Sequence, residues 1–263
     1  MNVKMFLCWL LLGVSALTAC SDKEEPNSGG NDVDNSKEWI APSFAKALEL
    51  KGYIEDENTV KPSDVANLMH VYVNGELITS LKGIEYFESV EILHCADNEL
   101  TTVDLSKCLK LKQFFANNNR LKEIKPNTRI EELSFSDNQL TEIDLSKCSE
   151  LKKVHCDGNL FKRIDVSKNS KLNYLSCACM YISNLDVSKN TQLSYLSCGD
   201  NLLTQLDISQ NTKLTLFLCH ENPGVDGLFR VKAWFDNDNV PKNIDNIGAW
   251  YYNGKEVKIY FYK

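Results

Sequence analysis

Motifs for catalysis and metal binding are scarce in this 263-residue sequence. It contains no C-x-x-C pair, no G-x-S-x-G string, no P-loop and no H-E-x-x-H string. Histidine occurs only 4 times. These absences count against zinc proteins, serine hydrolases, P-loop enzymes and zinc proteases. We therefore expect a protein that is not an enzyme and that holds no metal and no cofactor.

Positive charge is also in deficit. The chain has 29 Lys and Arg against 36 Asp and Glu, which gives a formal net charge of −7. This balance counts against a non-specific nucleic-acid binder. The apolar share of 43% suits a globular body, and the length allows one large domain or two small ones.

The start of the chain has the features of a secretory signal peptide, which we assign to residues 1–19. The apolar run Met5–Leu17 follows Lys4 and is too short to span a bilayer comfortably. Leu17-Thr18-Ala19-Cys20 resembles the lipobox of bacterial lipoproteins, in which the cysteine is diacylated and becomes the mature N-terminus. The alternative is an ordinary cleaved signal that happens to carry a cysteine.

The resemblance implies that Cys20 carries lipid and anchors the chain to a membrane. Residues 20–37 have almost no apolar content, so we expect a flexible tether there. Its start, SDKEE, resembles the acid-rich export signals of lipoproteins that reach the outer leaflet.

The rest of the sequence repeats itself with a period near 21 residues. The first, fourth, sixth, eleventh and fourteenth places of each unit are mostly apolar, and the ninth is usually asparagine. The eight units start at Leu68, Val90, Leu111, Ile130, Leu151, Leu172, Leu193 and Leu214. The ninth-place asparagines are Asn98, Asn119, Asn138, Asn159, Asn201 and Asn222. Repetition at a fixed period indicates a solenoid.

The pattern L-x-x-L-x-L-x-x-N-x-L resembles the leucine-rich repeat. The form LSCGDNLLTQLDISQNTKL is similar to short-repeat surface lipoproteins of Gram-negative bacteria and, more distantly, to internalins. The resemblance implies a helical N-terminal cap at residues 38–67, repeats at 68–228 and a C-terminal β cap at 229–263. It also implies a binding module for proteins.

Alternation within each unit predicts one short strand, and stacked units predict a parallel sheet on the concave face. The convex side should return in turns and short 3-10 segments, because DVSKNT is rich in turn formers. Asn253-Gly254 predicts a β-hairpin in the C-terminal cap. The ninth-place asparagines should bond to buried backbone, and the aspartates of the D-x-S turns should cap those turns. Met180 replaces one ninth-place asparagine, so we expect an altered exit from the strand there.

Most of the cysteines fit a packing role. The sixth place holds Cys95, Cys156, Cys177, Cys198 and Cys219, and elsewhere Val73, Ala116 or Phe135. A slot that accepts these types is apolar, and neighbouring thiols on parallel strands have poor geometry for disulfides or zinc. Cys108 and Cys148 should pack under the convex turns. Cys179 is either a reactive thiol or a half-buried loop residue.

The outward places of the strands should form the binding surface. They carry all four histidines, two adjacent tyrosines and several apolar side chains, which a merely solvated face would lack. His94 and His155 would be about 14 Å apart, too far to share a metal ion. We expect partner contacts from Tyr72, His94, Phe115, His155, Tyr174, Tyr195, Leu216 and Leu218.

The sequence thus predicts a monomeric lipoprotein, anchored in the outer membrane at the surface of a Gram-negative bacterium. Its concave face should bind a protein ligand of host or bacterial origin. A glycan-binding module is the first alternative, since stacked tyrosines also hold sugar rings. A purely structural envelope protein is the second. Histidines on the surface further predict pH-sensitive binding.

Overall fold

Each of the eight units contributes one strand to a single parallel sheet. The computed structural model of the chain describes residues 39–242, 244 and 249–263. The strands pair in chain order and in register. They are His70–Tyr72 (β1), Ile92–His94 (β2), Gln113–Phe115 (β4), Glu132–Ser134 (β6), Lys153–His155 (β7), Tyr174–Ser176 (β8), Tyr195–Ser197 (β9) and Leu216–Leu218 (β11). This arrangement confirms the predicted leucine-rich-repeat solenoid with its parallel sheet.

The convex side contains turns and also short strands that the sequence did not predict. Thr102–Asp104 (β3) pairs in parallel with Glu123–Lys125 (β5). A 3-10 helix, Ile84–Tyr86, lies in the first unit, and another, Asn237–Asn239, lies in the C-terminal segment. In each of the five D-x-S turns an aspartate Oδ1 accepts the serine N–H at 2.9 Å, as Asp144 does from Ser146, so the capping prediction is confirmed.

The segments before and after the repeats have their own elements. Before the repeats lie the helices Pro42–Leu50 (α1) and Pro62–Val65 (α2), and α1 buries Phe44 and Leu48. At the other end, the convex strand Gln205–Asp207 (β10) of the seventh unit and the later strands Leu228–Lys232 (β12), Lys255–Tyr262 (β14) and Ala249–Tyr252 (β13) form a second sheet in that order. β13 and β14 are antiparallel and joined at Asn253-Gly254, where both φ angles are positive. The exact domain boundaries stay predictions.

A continuous apolar core fills the interior between the two sides. Every sixth-place residue is buried, whether it is cysteine or Val73, Ala116 or Phe135. The ladder cysteines, meaning Cys156, Cys177, Cys198 and Cys219, occupy four successive units and are free thiols. The packing role predicted for them is confirmed, as it is for Cys108 and Cys148, which are buried under the convex turns.

Two columns of asparagine hold neighbouring units together. The strand-exit asparagines are the ninth-place residues, and Asn159 illustrates their bonds. Its Nδ2 donates to the carbonyl oxygens of Phe135 and Cys156, each at 3.0 Å, and its Oδ1 accepts the Leu140 N–H at 3.0 Å. The predicted backbone bonding is confirmed. The convex-turn asparagines Asn169, Asn190 and Asn211 likewise donate to two carbonyls each.

The exit at Met180 differs less than expected. The residue before it, Cys179, has φ 56°, in the same left-handed region as Asp97, Asp137 and Asp200 in other units. The backbone therefore turns in the same way, and the unit lacks only the amide of an asparagine. Cys179 itself is exposed, so the half-buried placement was wrong.

Candidate functional site

The outward side chains of the concave sheet form two rows that run across all eight strands. We call the first residues of the strands the entry row and the last residues the exit row. The entry row is His70, Ile92, Gln113, Glu132, Lys153, Tyr174, Tyr195 and Leu216. The exit row is Tyr72, His94, Phe115, Ser134, His155, Ser176, Ser197 and Leu218. Pairing in register places successive members on adjacent strands, about 4.8 Å apart.

The exit row begins with a stack of three rings. The ring centroids of Tyr72 and His94 are 4.8 Å apart, and those of His94 and Phe115 are 4.1 Å apart with an interplanar angle of 20°. Tyr72 is exposed to 44%, whereas the other two rings are half-buried. His94 is therefore covered on both faces by aromatic carbon.

A second stack of three rings crosses from the exit row to the entry row. His155 contacts Tyr174 at 4.3 Å, and Tyr174 contacts Tyr195 at 4.0 Å with planes only 6° apart. Leu216 follows Tyr195 on the next strand, and Leu218 lies two residues along. The eight predicted contact residues thus form two ring stacks and one leucine pair.

A partly buried carboxylate lies between the stacks, and its contacts were not predicted from the sequence. Glu132 has only 12% of its side chain exposed. Lys153 Nζ lies 3.3 Å from Glu132 Oε2, Gln113 Nε2 lies 3.5 Å from the same oxygen, and His155 Nε2 lies 3.6 Å from Oε1. Glu132 and Lys153 occupy the same place in adjacent units, and strands in register put them side by side. Their opposite charges could therefore have predicted this ion pair from the sequence.

Two polar side chains fix two of the three serines of the exit row. Asn117 Oδ1 accepts hydrogen bonds from Ser134 Oγ at 2.9 Å and from the Ser136 N–H at 2.8 Å. Asp157 Oδ1 accepts from Ser176 Oγ at 2.8 Å and from the Ala178 N–H at 2.7 Å. These bonds hold the floor of the concave surface rigid.

Burial shifts the titration of several groups on this surface. Desolvation lowers the pKa of His94, and the Glu132 charge opposes that shift only in part. Desolvation also lowers the pKa of His155 against the opposing charges of Glu132 and Asp157. The pKa of Tyr174 is raised by burial and by its hydrogen bond with Tyr195. At neutral pH both imidazoles and the phenol are uncharged, so the stacks are apolar.

The ladder cysteines and the histidines lie on opposite sides of the concave sheet. The ladder cysteines lie inside the sheet, and burial raises their pKa values, while the histidines lie outside it. Within the described residues, no group of three or more His, Cys, Asp or Glu could hold a metal ion. No helix in the same part of the chain has the length and apolarity needed to cross a membrane.

A hollow of about 700 Å³ lies on the convex side near the 19-residue unit that starts at Leu111. Its lining includes Lys112, Glu131 and Glu150. Lys112 pairs with Glu91 at 3.0 Å, and Glu150 with Lys171 at 2.6 Å. Because these charges are already paired, the hollow is a weaker candidate than the aromatic concave face.

Comparison with solved structures supports the fold. YopM from Yersinia enterocolitica matches with a TM-score of 0.52 at 17% identity, over 77% of this chain and 43% of that chain. YopM from Yersinia pestis matches with a TM-score of 0.50 at 22% identity, over 53% of this chain and 40% of that chain. Both are leucine-rich-repeat folds.

The functional domain of InlJ from Listeria monocytogenes, which includes a cysteine ladder, is also similar. It matches with a TM-score of 0.44 at 26% identity, over 74% of this chain. The present chain spans 55% of the length of that domain. No protein-family model and no curated protein matches the sequence.

Proposed function

We propose that the chain is a lipid-anchored surface protein of a Gram-negative outer membrane that binds a protein partner through its concave sheet. The leucine-rich-repeat fold commonly mediates protein binding. The observation that carries the proposal is the pair of ring stacks, Tyr72–His94–Phe115 and His155–Tyr174–Tyr195, on the outward side of that sheet. Cys20, which would carry the lipid, lies outside the described residues together with the signal peptide and the tether. We infer no catalytic role.

The size and composition of the surface suit a protein. From Tyr72 to Tyr195 the rings extend over seven strands, or about 29 Å at 4.8 Å per step. Aromatic side chains at the centre of a patch, with charged residues such as Lys153 and Asp157 beside them, are typical of protein interfaces. Side chains held by stacking also lose little conformational entropy when a partner binds.

The stacking counts against the glycan alternative. A sugar ring packs on the open face of an aromatic ring, yet Tyr174 has Tyr195 on one face and His155 on the other. His94 is covered in the same way by Tyr72 and Phe115. The middle ring of each stack therefore presents its edge, which suits side chains of a protein better than a pyranose face.

The decisive experiment compares capture of cell-surface proteins and of polysaccharides by wild type and by matched variants. Tyr174→Ala combined with Tyr195→Ala removes the second stack. Tyr251→Ala combined with Tyr260→Ala removes two exposed tyrosines outside the concave sheet, with exposures of 67% and 46%. We expect the first double variant to lose at least about tenfold in affinity for a protein, since aromatic anchors are each worth ~2 kcal/mol. The second should bind like wild type.

The remaining outcomes separate the alternatives. Polysaccharide capture that disappears with Tyr174 and Tyr195 supports a glycan-binding module instead. No capture of protein or polysaccharide by wild type, with no change in any interaction on Glu132→Lys combined with Lys153→Glu, supports a purely structural envelope protein. A protein captured equally well without the stack refutes the concave-face proposal.

The anchor is tested separately. Cys20→Ala should move the chain from the membrane fraction to the soluble fraction and abolish metabolic labelling with an alkyne fatty acid, since the thiol is the acylation site. Ser21→Ala is the control. Continued labelling of Cys20→Ala would refute lipidation at this residue.

A further inference from the structure

The two ring stacks together form an aromatic belt across the concave face. One strand within this belt, β6, carries no ring. Ser134 pairs in register with Phe115 on one side and with His155 on the other. Each of these neighbours ends a ring stack. Ser176 and Ser197 also interrupt the exit row, but there the belt continues through Tyr174 and Tyr195 in the entry row. We call the space above Ser134, between the Phe115 and His155 rings, the Ser134 slot.

The spacing of the strands leaves room for one planar group in the slot. Two strand steps separate the backbone of Phe115 from that of His155, which is about 9.6 Å. Rings on adjacent strands of this row have centroids 4.8 Å and 4.1 Å apart. One flat group placed between the two rings would therefore lie at ordinary stacking distance from both, and a second would not fit.

The floor of the slot is fixed by a hydrogen bond. Ser134 is only 5% exposed, and its hydroxyl donates to Asn117 Oδ1. An occupant therefore does not need to bond to the serine. It would replace water against two apolar ring faces, which favours a group with weak hydration.

Glu132 borders the slot beside Lys153, and acidic residues also follow the exit row of the concave sheet. Glu132 lies on the same strand as Ser134, two residues away and on the same face, and its contacts of 3.3 to 3.6 Å are longer than the ~2.8 Å of strong charge-assisted bonds. The second and third residues after the concave strands include Asp97, Asp137, Asp157, Asp200 and Glu221, with no Lys or Arg at those places in the eight units. Burial and the Asp157 charge raise the pKa of Asp137, as expected where acids lie close together.

We propose that the Ser134 slot binds the guanidinium group of an arginine side chain of the protein partner, stacked between Phe115 and His155 and paired with Glu132. The inference rests on the proposed protein-binding function and specifies the chemistry that the partner presents. A guanidinium is flat, weakly hydrated and always charged, so it can use both ring faces and the carboxylate together. A lysine ammonium is not flat, and an aromatic ring would leave Glu132 without a short bond.

The test needs no natural partner. The full-length protein is titrated with N-acetylarginine amide, and NMR shifts of the Ser134, Phe115 and His155 amides are followed. N-acetylcitrulline amide, which is nearly isosteric and neutral, N-acetyllysine amide and N-acetylphenylalanine amide are the comparison probes. We expect arginine to bind at least about fivefold more tightly than any of these, which corresponds to ~1 kcal/mol for a cation between two rings and a carboxylate.

Two variants test the slot itself. Ser134→Phe supplies the missing ring from within the chain and should abolish the arginine shifts, while Ser149→Phe adds the same ring at an exposed convex position and should not. Glu132→Gln keeps the shape and should weaken arginine binding about fivefold, and it serves as the readout if Ser134→Phe does not fold. Arginine binding unchanged in Ser134→Phe or in Glu132→Gln, or equal binding of citrulline, would overturn the proposal.

Failure of this inference is distinguishable from failure of the proposed function. A captured protein that is lost with Tyr174 and Tyr195 but retained by Ser134→Phe contradicts the arginine slot alone. Arginine bound at the slot of a chain that captures no protein contradicts the proposed function alone.

Discussion

At the scale of single residues, the two asparagine columns differ in how fully their amides are bonded. The Oδ1 atom of a strand-exit asparagine accepts a buried backbone N–H in six units, as Asn201 does from Ile182. In the described part of the chain, the buried Oδ1 atoms of the convex-turn residues Asn169, Asn190 and Asn211 have no hydrogen-bond partner. Each of these convex-turn asparagines therefore bonds through its amide nitrogen but not through its amide oxygen.

The same substitution should consequently cost different amounts in the two columns. Asn159→Cys leaves the Leu140 N–H and two carbonyls without partners, so we expect a loss of about 2 to 4 kcal/mol in the free energy of unfolding. Asn190→Cys also removes two bonds to carbonyls, but it orphans no backbone N–H and removes an unpaired buried oxygen, and a thiol can donate to one carbonyl as Cys148 does. We therefore expect a smaller loss, of about 1 to 2 kcal/mol. Chemical denaturation measures both. A larger loss at Asn190 would contradict this account.

The half-buried imidazoles of His94 and His155 predict a dependence of stability on pH. The pKa values of His94 and His155 are lowered by desolvation, so the unfolded chain binds more protons than the folded chain below the ordinary histidine value of about 6.5. The contribution of the two histidines to the free energy of unfolding should be fully present above that value. It should decrease as the pH drops through that value towards the lowered pKa values. Most aspartates with a shifted pKa, such as Asp144, have a lowered value, so they change the stability only at more acidic pH. Asp137, with its raised pKa, opposes the trend.

The measurement is the free energy of unfolding at pH 7.5 and pH 5.5. His94→Phe keeps a ring between Tyr72 and Phe115 and removes the titration, so it should reduce the difference between the two pH values. Wild type that is more stable at pH 5.5, or a variant with the full pH dependence, would show that the imidazoles do not control stability in this range.

At the scale of repeated elements, the ladder cysteines act as one apolar column. Their thiols lie in successive units, and Cys156 Sγ donates to the Ser176 carbonyl at 3.1 Å. Burial raises the pKa of all four. Since the thiolate is the reactive form, the column should be chemically inert despite its density of sulfur.

Alkylation with iodoacetamide at pH 8 checks this inertness. Within residues 39–263 we expect Cys179, which is exposed, to be modified in the native protein, and the buried thiols only after denaturation. Burial raises the pKa of Cys148 to about 11, so even this thiol should react about 100-fold more slowly than an exposed one. Peptide mass spectrometry locates the label, and Cys179→Ser is the control. Rapid native labelling of Cys177 or Cys198 would contradict the buried ladder.

The repeat explains why much of this architecture was predictable. A place that recurs every 21 residues has the same neighbours in each unit, so residue types such as Cys, Val73, Ala116 and Phe135 together identified the sixth place as buried. Contacts that depend on rotamers were not predictable. The angle between Tyr174 and Tyr195 and the contacts of Glu132 arise from side chains in different units, and periodicity alone does not fix them. The convex strands β3 and β5 were missed because their segments also contain turn residues.

At the scale of the whole molecule, a solenoid is stabilised mainly by contacts between neighbouring units, so its last unit depends on the C-terminal segment that packs against it. The last strand-exit asparagine is Asn222. Its carbonyl oxygen accepts the Trp250 Nε1–H at 2.8 Å, and the Trp250 ring packs against Phe229 with centroids 5.7 Å apart. Trp250 is 6% exposed, whereas its neighbour Tyr251 on the same strand is 67% exposed.

Trp250→Ala should therefore destabilise the C-terminal units before the others. We expect a loss of about 3 to 5 kcal/mol in the free energy of unfolding, because a large buried ring is removed and the Asn222 carbonyl loses its donor. Hydrogen exchange should accelerate first at Phe217 in β11 and least at Leu93 in β2, since destabilisation passes from unit to unit. Tyr251→Ala should leave both sites protected. Equal loss of protection at Phe217 and Leu93 would mean that the chain unfolds as a single unit, and the nearest-neighbour description would then be wrong.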